Sequence, residues 1–114
     1  MKRLLLTLGV IILTGCVNPY TYREDQEINA SFTTSKGVQE TQECILVAWQ
    51  SKMTGGGAVT SQKTGKYYSV ISIADNADVY SDGGITKINF YSLRGSLDPW
   101  RGIKKRTEGI KSCL

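Results

Sequence analysis

The chain has 114 residues, a formal net charge of +4 and no histidine. Its length suits one small domain plus a tether, with a core marginal enough to benefit from a covalent staple. The lack of histidine excludes His-based triads, Cys–His nucleophiles and the commonest metal ligand, so an enzyme would have to use carboxylates, Ser/Lys or Tyr.

Lys2 and Arg3 precede an apolar run over residues 4–13, broken only by Thr7 and Gly9. A run of that length suits a signal peptide and falls short of the roughly 20 apolar residues of a membrane-spanning helix. The run ends in Leu13-Thr14-Gly15-Cys16. This tetrapeptide resembles the lipobox of bacterial lipoproteins: an aliphatic residue, two small residues, then the cysteine that receives lipid. The resemblance covers residues 1–18 and implies cleavage before Cys16, which becomes the acylated N-terminus. By the enterobacterial sorting pattern, Val17 and Asn18 after the cysteine, in place of aspartate, favour the periplasmic side of the outer membrane. Loss of Lys2 and Arg3 with the leader lowers the formal charge from +4 to +2. Two or three acyl chains hold a protein firmly where one binds reversibly, since each buried methylene contributes about 0.8 kcal/mol.

With Cys16 lipidated, Cys44 and Cys113 remain. An even pair in an oxidising envelope predicts a Cys44–Cys113 disulfide. The chain divides into a signal peptide (1–15), a lipidated N-terminus with a flexible tether (16–27) and a single domain (28–114). Pro19 and the charged cluster Arg23, Glu24, Asp25 and Glu27 support the tether, in which Tyr20 and Tyr22 read most simply as exposed.

Residues 28–34 alternate, with Ile28, Ala30 and Phe32 on one side, and give a weak strand signal. Residues 38–53 favour a helix, with Val38, Ile45, Trp49 and Met53 sharing a face and Gly55-Gly56-Gly57 as the stop. A buried strand over residues 45–49 is the alternative, disfavoured by the length of the pattern. Residues 58–66 read as a loop or short edge strand, and residues 67–73 as a β-branched and aromatic strand. Asp75-Asn76-Ala77-Asp78 reads as a turn, Val79-Tyr80-Ser81 as a short strand, and Asp82-Gly83-Gly84 as a hairpin turn. Residues 85–91 form a second clear strand. Residues 94–106 read as a loop, and residues 109–114 as an edge strand that returns Cys113 to Cys44. The predicted class is α+β: one amphipathic helix packed on a small antiparallel β-sheet, with one disulfide. This order resembles small proteobacterial lipoproteins to which no activity attaches.

Asp75, Asp78 and Asp82 gather around the predicted turn, but their spacing does not match a calcium loop that places oxygens at alternate positions. Asp78 and Asp98 have nothing in the sequence to bring them together as a glycosidase pair. The side chains of Ser35-Lys36 and Ser51-Lys52 are adjacent in sequence and so point apart. The chain therefore reads as non-enzymatic, with no cofactor and no metal. The most unusual stretch is Arg94-Gly95-Ser96-Leu97-Asp98-Pro99-Trp100-Arg101, where Trp offers area, Arg forked hydrogen bonds and Pro a low ordering cost. The expected function is that of an outer-membrane lipoprotein whose small periplasmic domain binds another envelope component, an envelope protein being the expected partner, in an interaction, accessory, inhibitory, exclusion or immunity role. The binding residues are Arg94, Trp100, Arg101, Lys104, Lys105 and Arg106. The alternative is a module that holds anionic lipid or lipopolysaccharide through the basic C-terminal loop. Nucleic acid is not expected in this compartment. Against either reading stands the plain one, in which Trp100 tucks onto the sheet and the cations are merely solvated.

Overall fold

The computed structural model describes residues 22–52 and 58–114. The expected signal peptide, Cys16, Tyr20, Met53 and the triple glycine lie outside the described residues. The elements run α1 (Tyr22–Asp25), β1 (Ala30–Thr34), α2 (Val38–Gln50), β2 (Thr60–Thr64), β3 (Tyr67–Ile71), β4 (Asp75–Asp82), β5 (Ile85–Ser92) and α3 (Gly102–Lys111), with a 3₁₀ turn, Pro99–Arg101, just before α3. The fold is α+β. The five strands form one antiparallel sheet in the order β1-β5-β4-β3-β2. The four later strands are a meander. The β1–α2–β2 connection carries the chain from one edge of the sheet to the other.

Strand alternation assigns the faces. Val70, Ala77, Val79, Ile88 and Phe90 point to the helical side, where they meet Ile45 and Trp49 of α2 and Ile110 of α3 in one buried core. The Trp49 and Phe90 rings meet edge to face at 6.0 Å. Neighbouring positions point to the opposite face, where Ser31, Asn89, Asp78, Ser69 and Gln62 line up across all five strands. The β4–β5 hairpin closes through Gly83 and Gly84, at φ 64° and 84°. Positive φ at both central residues suits the sheet's twist and favours glycine.

The predicted helix over residues 38–53 is observed as α2. The disulfide joins Cys44 of α2 to Cys113, with the Cα atoms 5.8 Å apart. Four expectations need correction. Residues 102–111 are a second helix, where the sequence predicted loop and edge strand. Ile103, Arg106 and Ile110 share its inner face, with Cys113 just past its end, but Gly102 and Gly109 depress the local propensity that would have announced it. Gly109 is where the two helices touch: a Cβ there would lie 2.9 Å from the Trp49 ring. Asp75-Asn76-Ala77-Asp78 is the start of β4 rather than a turn. The chain reverses over residues 72–74, where the Ser72 hydroxyl donates to the Asp75 carbonyl at 2.7 Å and accepts from its N–H at 3.1 Å. The expected tether ends early, because Tyr22 is fully buried on the sheet. Finally, two of the expected binding residues, Arg94 and Arg106, are interior, as described next.

Candidate functional site

Asp75 faces the helical side of β4 and is fully buried. Its carboxylate accepts hydrogen bonds from Arg94 Nε and Nη2, from Arg106 Nε and from the Ser92 hydroxyl, at 2.8–3.1 Å. The two arginine side chains are 6% and 1% exposed. One carboxylate thus serves two guanidiniums in the interior. Burial lowers the Arg106 pKa from its ordinary value, offset only in part by Asp75. Arg106 also lies over the Trp49 ring, 4.7 Å from its centroid, and donates to the Trp49 carbonyl at 3.1 Å. The Trp49 indole N–H returns a bond to the Arg106 carbonyl at 3.0 Å. These contacts tie the end of α2, the middle of α3 and the ends of β4 and β5 together.

The cluster clamps the loop that leaves β5. Arg94 holds the loop's beginning on Asp75. Gly102 holds its end, because the Arg94 guanidinium occupies the space of a Gly102 Cβ, with Cζ at 2.1 Å. Between these points Asp98, Trp100 and Arg101 take φ of 44°, 62° and 55°. Left-handed backbone costs a non-glycine residue roughly 1–2 kcal/mol. Three such residues in four positions persist only where the surroundings over-determine them. The Asp98 carboxylate helps by accepting from the Ile103 N–H at 2.8 Å, which caps the start of α3. The loop presents Leu97 and Trp100 to the surface, 92% and 66% exposed. Leu93 and Ile73 are exposed at the same end of the sheet, where the Leu93 N–H bonds the Ala74 carbonyl at 2.8 Å.

The six expected binding residues therefore divide. Trp100, Arg101 and Lys104 are exposed, and Lys105 is half-buried. Arg94 and Arg106 are withdrawn from the surface and support the loop from beneath. The sequence reading missed the apolar share, Ile73, Leu93 and Leu97. Ile73 ends the predicted strand over residues 67–73, and Leu93 falls between the predicted strand over residues 85–91 and the predicted loop.

A second buried aspartate organises the opposite face. Asp78 accepts from the Tyr22 hydroxyl, from Ser69 Oγ at 2.6 Å and from Arg23 Nε at 2.5 Å. Burial, reinforced by the bond to Asp78, raises the Tyr22 pKa far above the ordinary phenol value. Burial works against the charge of Arg23, but Asp78 more than offsets it and raises the Arg23 pKa. The guanidinium lies 4.2 Å from the Tyr67 ring centroid, and the Tyr22 ring meets Tyr91 edge to face at 5.3 Å. These contacts dock the N-terminal segment on the sheet. Asp82, the third carboxylate of the excluded calcium site, instead pairs with Lys87 at 2.9 Å. Among the described residues no three potential metal ligands come together.

A shallow depression of about 630 Å³ lies beside β1, lined by residues that include Ser31, Thr33, Tyr80, Lys87 and Asn89. Its polar lining is largely hydrogen-bonded within the protein: Ser31 donates to Asn89 at 3.1 Å, and Asn89 reaches the Tyr80 hydroxyl at 3.4 Å. Among the described residues no helix is long and apolar enough to cross a membrane. No family model matches the chain, and no match was found among curated proteins or solved structures.

Proposed function

We propose that the chain is a lipid-anchored envelope protein, acylated at Cys16 and placed at the periplasmic side of the outer membrane, whose domain acts by binding. The binding surface is the loop over residues 93–101, with Leu97 and Trp100 as its centre and Arg101 and Lys104 at its border. The observation that carries this reading is the Asp75–Arg94–Arg106 cluster beneath the loop. Buried charge and left-handed backbone are both costly, and here they serve to hold two large apolar side chains in water. A purely charge-driven hold on anionic lipid is disfavoured, because two of its five cations, Arg94 and Arg106, face inward.

The test uses intact cells. Cys16→Ser should release the chain from the membrane fraction, and a photo-reactive amino acid in place of Trp100 should give adducts that the same group in place of Lys87 does not. Retention of the Cys16→Ser chain would overturn the anchor. Equal labelling from both positions would overturn the loop.

A further inference from the structure

Large apolar side chains are unevenly distributed over the exposed surface of the described residues. Of the eight that stand out, Ile28, Ile73, Leu93, Leu97 and Trp100 belong to one end of the sheet. Ile28 precedes Ala30, the partner of Phe90 near the end of β5. Ile73 lies in the β3–β4 reversal, and Leu93, Leu97 and Trp100 follow β5. The described chain also begins at this end. The Tyr22 ring rests on Tyr91, one residue before the end of β5, while its hydroxyl reaches back to Asp78, and Leu93 follows that end of the strand. Cys16 is six positions before Tyr22, so the two Cα atoms can be no more than about 20 Å apart. The Gly83–Gly84 hairpin closes the opposite end, an eight-residue strand of about 27 Å away.

We infer that the occupant of the loop is the bilayer leaflet that carries the chain's own anchor. This rests on the proposed acylation of Cys16 and deepens the binding reading. A domain tied so closely must present the end from which the tether emerges, and that end carries the exposed apolar residues. A protein partner there would have to fit between the domain and the membrane. The charges at this end are mixed: Lys52, Arg101 and Lys104 are exposed, and so are Glu24, Asp25 and Glu27. Apolar insertion rather than anion capture is therefore the main attraction. Trp100 lies at headgroup depth, Leu97 deeper, and the cations reach back to the phosphates. Anchor and wedge are the two signals that together give stable attachment and a fixed orientation.

The test uses the full lipidated chain in vesicles of phosphatidylethanolamine and phosphatidylglycerol with brominated acyl chains. Bromolipid should quench part of the tryptophan emission. That part should vanish in Trp100→Phe, shrink in Leu97→Asp and persist in 1 M salt. Trp100 emission that escapes bromolipid but yields to aqueous iodide would overturn docking, and quenching abolished by salt would overturn the apolar wedge. The mass of the N-terminal peptide separates the two readings. An acylated Cys16 with unquenched Trp100 sinks the docking alone, whereas an unmodified Cys16 sinks the anchor whatever Trp100 does. In cells, a photo-reactive group in place of Leu97 should label lipid, and a discrete protein adduct would overturn the inference in favour of a protein partner.

Discussion

Asp75 and Asp78 lie three positions apart on β4, are both fully buried and both accept from arginine, yet they secure opposite ends of the chain. The odd spacing puts them on opposite faces of the sheet. Asp75, under the helices, holds Arg94 and Arg106 and so fixes the C-terminal loop and α3. Asp78, on the other face, holds Tyr22 and Arg23 and so fixes the point where the chain enters the domain. The environments also differ. Arg106 is enclosed at 1% exposure, whereas Arg23 keeps 14% of its side chain in solvent. The carboxylate under the helices should therefore matter more to stability than its counterpart, because its partners cannot turn to water when it is lost.

The largest test of that difference is Asp75→Asn, which strands two interior guanidiniums. Breaking a buried ion pair from one side costs roughly 3–5 kcal/mol, and here the upper part of that range is expected in urea denaturation. Asp78→Asn should cost less, about 2–3 kcal/mol, since Arg23 can rehydrate and the amide oxygen can still accept from Tyr22 and Ser69. Equal losses would break the comparison. Next in size is reduction of Cys44–Cys113, which spans 69 positions. The chain-entropy model gives about 4 kcal/mol for such a loop, read as a lower melting temperature in reductant. It should affect both clusters alike, because the bond ties α2 to the end of α3.

Tyr22→Phe sharpens the Asp78 side. Loss of a hydrogen bond to a charged acceptor should cost about 1.5–3 kcal/mol at neutral pH. The sign with pH follows from the raised Tyr22 pKa. A group that holds its proton more tightly when folded contributes fully below its unfolded pKa, near 10, and loses that contribution as pH rises above it. Wild type should therefore lose stability on the alkaline side more steeply than Tyr22→Phe, with Tyr91, also raised by burial, adding a smaller part in both. The smallest effect has the opposite sign. Trp100→Gly relieves a left-handed non-glycine residue and should raise stability by up to about 1 kcal/mol while abolishing binding. A destabilised Trp100→Gly would show that the tryptophan packs for the fold instead of facing the proposed leaflet.

Much of the sheet was legible. The β-branched run that becomes β3 and the glycine hairpin between β4 and β5 announce themselves through local chemistry. The start of β4 misled for a definite reason. Asp and Asn are the usual turn residues, and only arginines arriving from Arg94 and Arg106, 19 and 31 positions away, make a buried strand aspartate tolerable. The sequence singled out residues 94–101 as the most unusual stretch, but two of the charges it offered for binding, Arg94 and Arg106, turn inward. A basic residue looks the same in sequence whether it reaches solvent or a carboxylate beneath it.

By itself, the sequence determined the class of fold, the helix predicted over residues 38–53 and observed over 38–50, the strands that become β3 and β5, and the pairing of Cys44 with Cys113. These follow from periodicity, turn chemistry and cysteine parity, all of which act over short stretches or need no geometry. Only the tertiary structure decided that residues 102–111 are helical, because a glycine-bearing segment becomes a helix when Gly109 lets it lie against Trp49. It alone decided which aspartate faces which layer and which arginines are interior. Burial of a charge depends on a partner brought from far along the chain, and that partner exists only once the layers have closed.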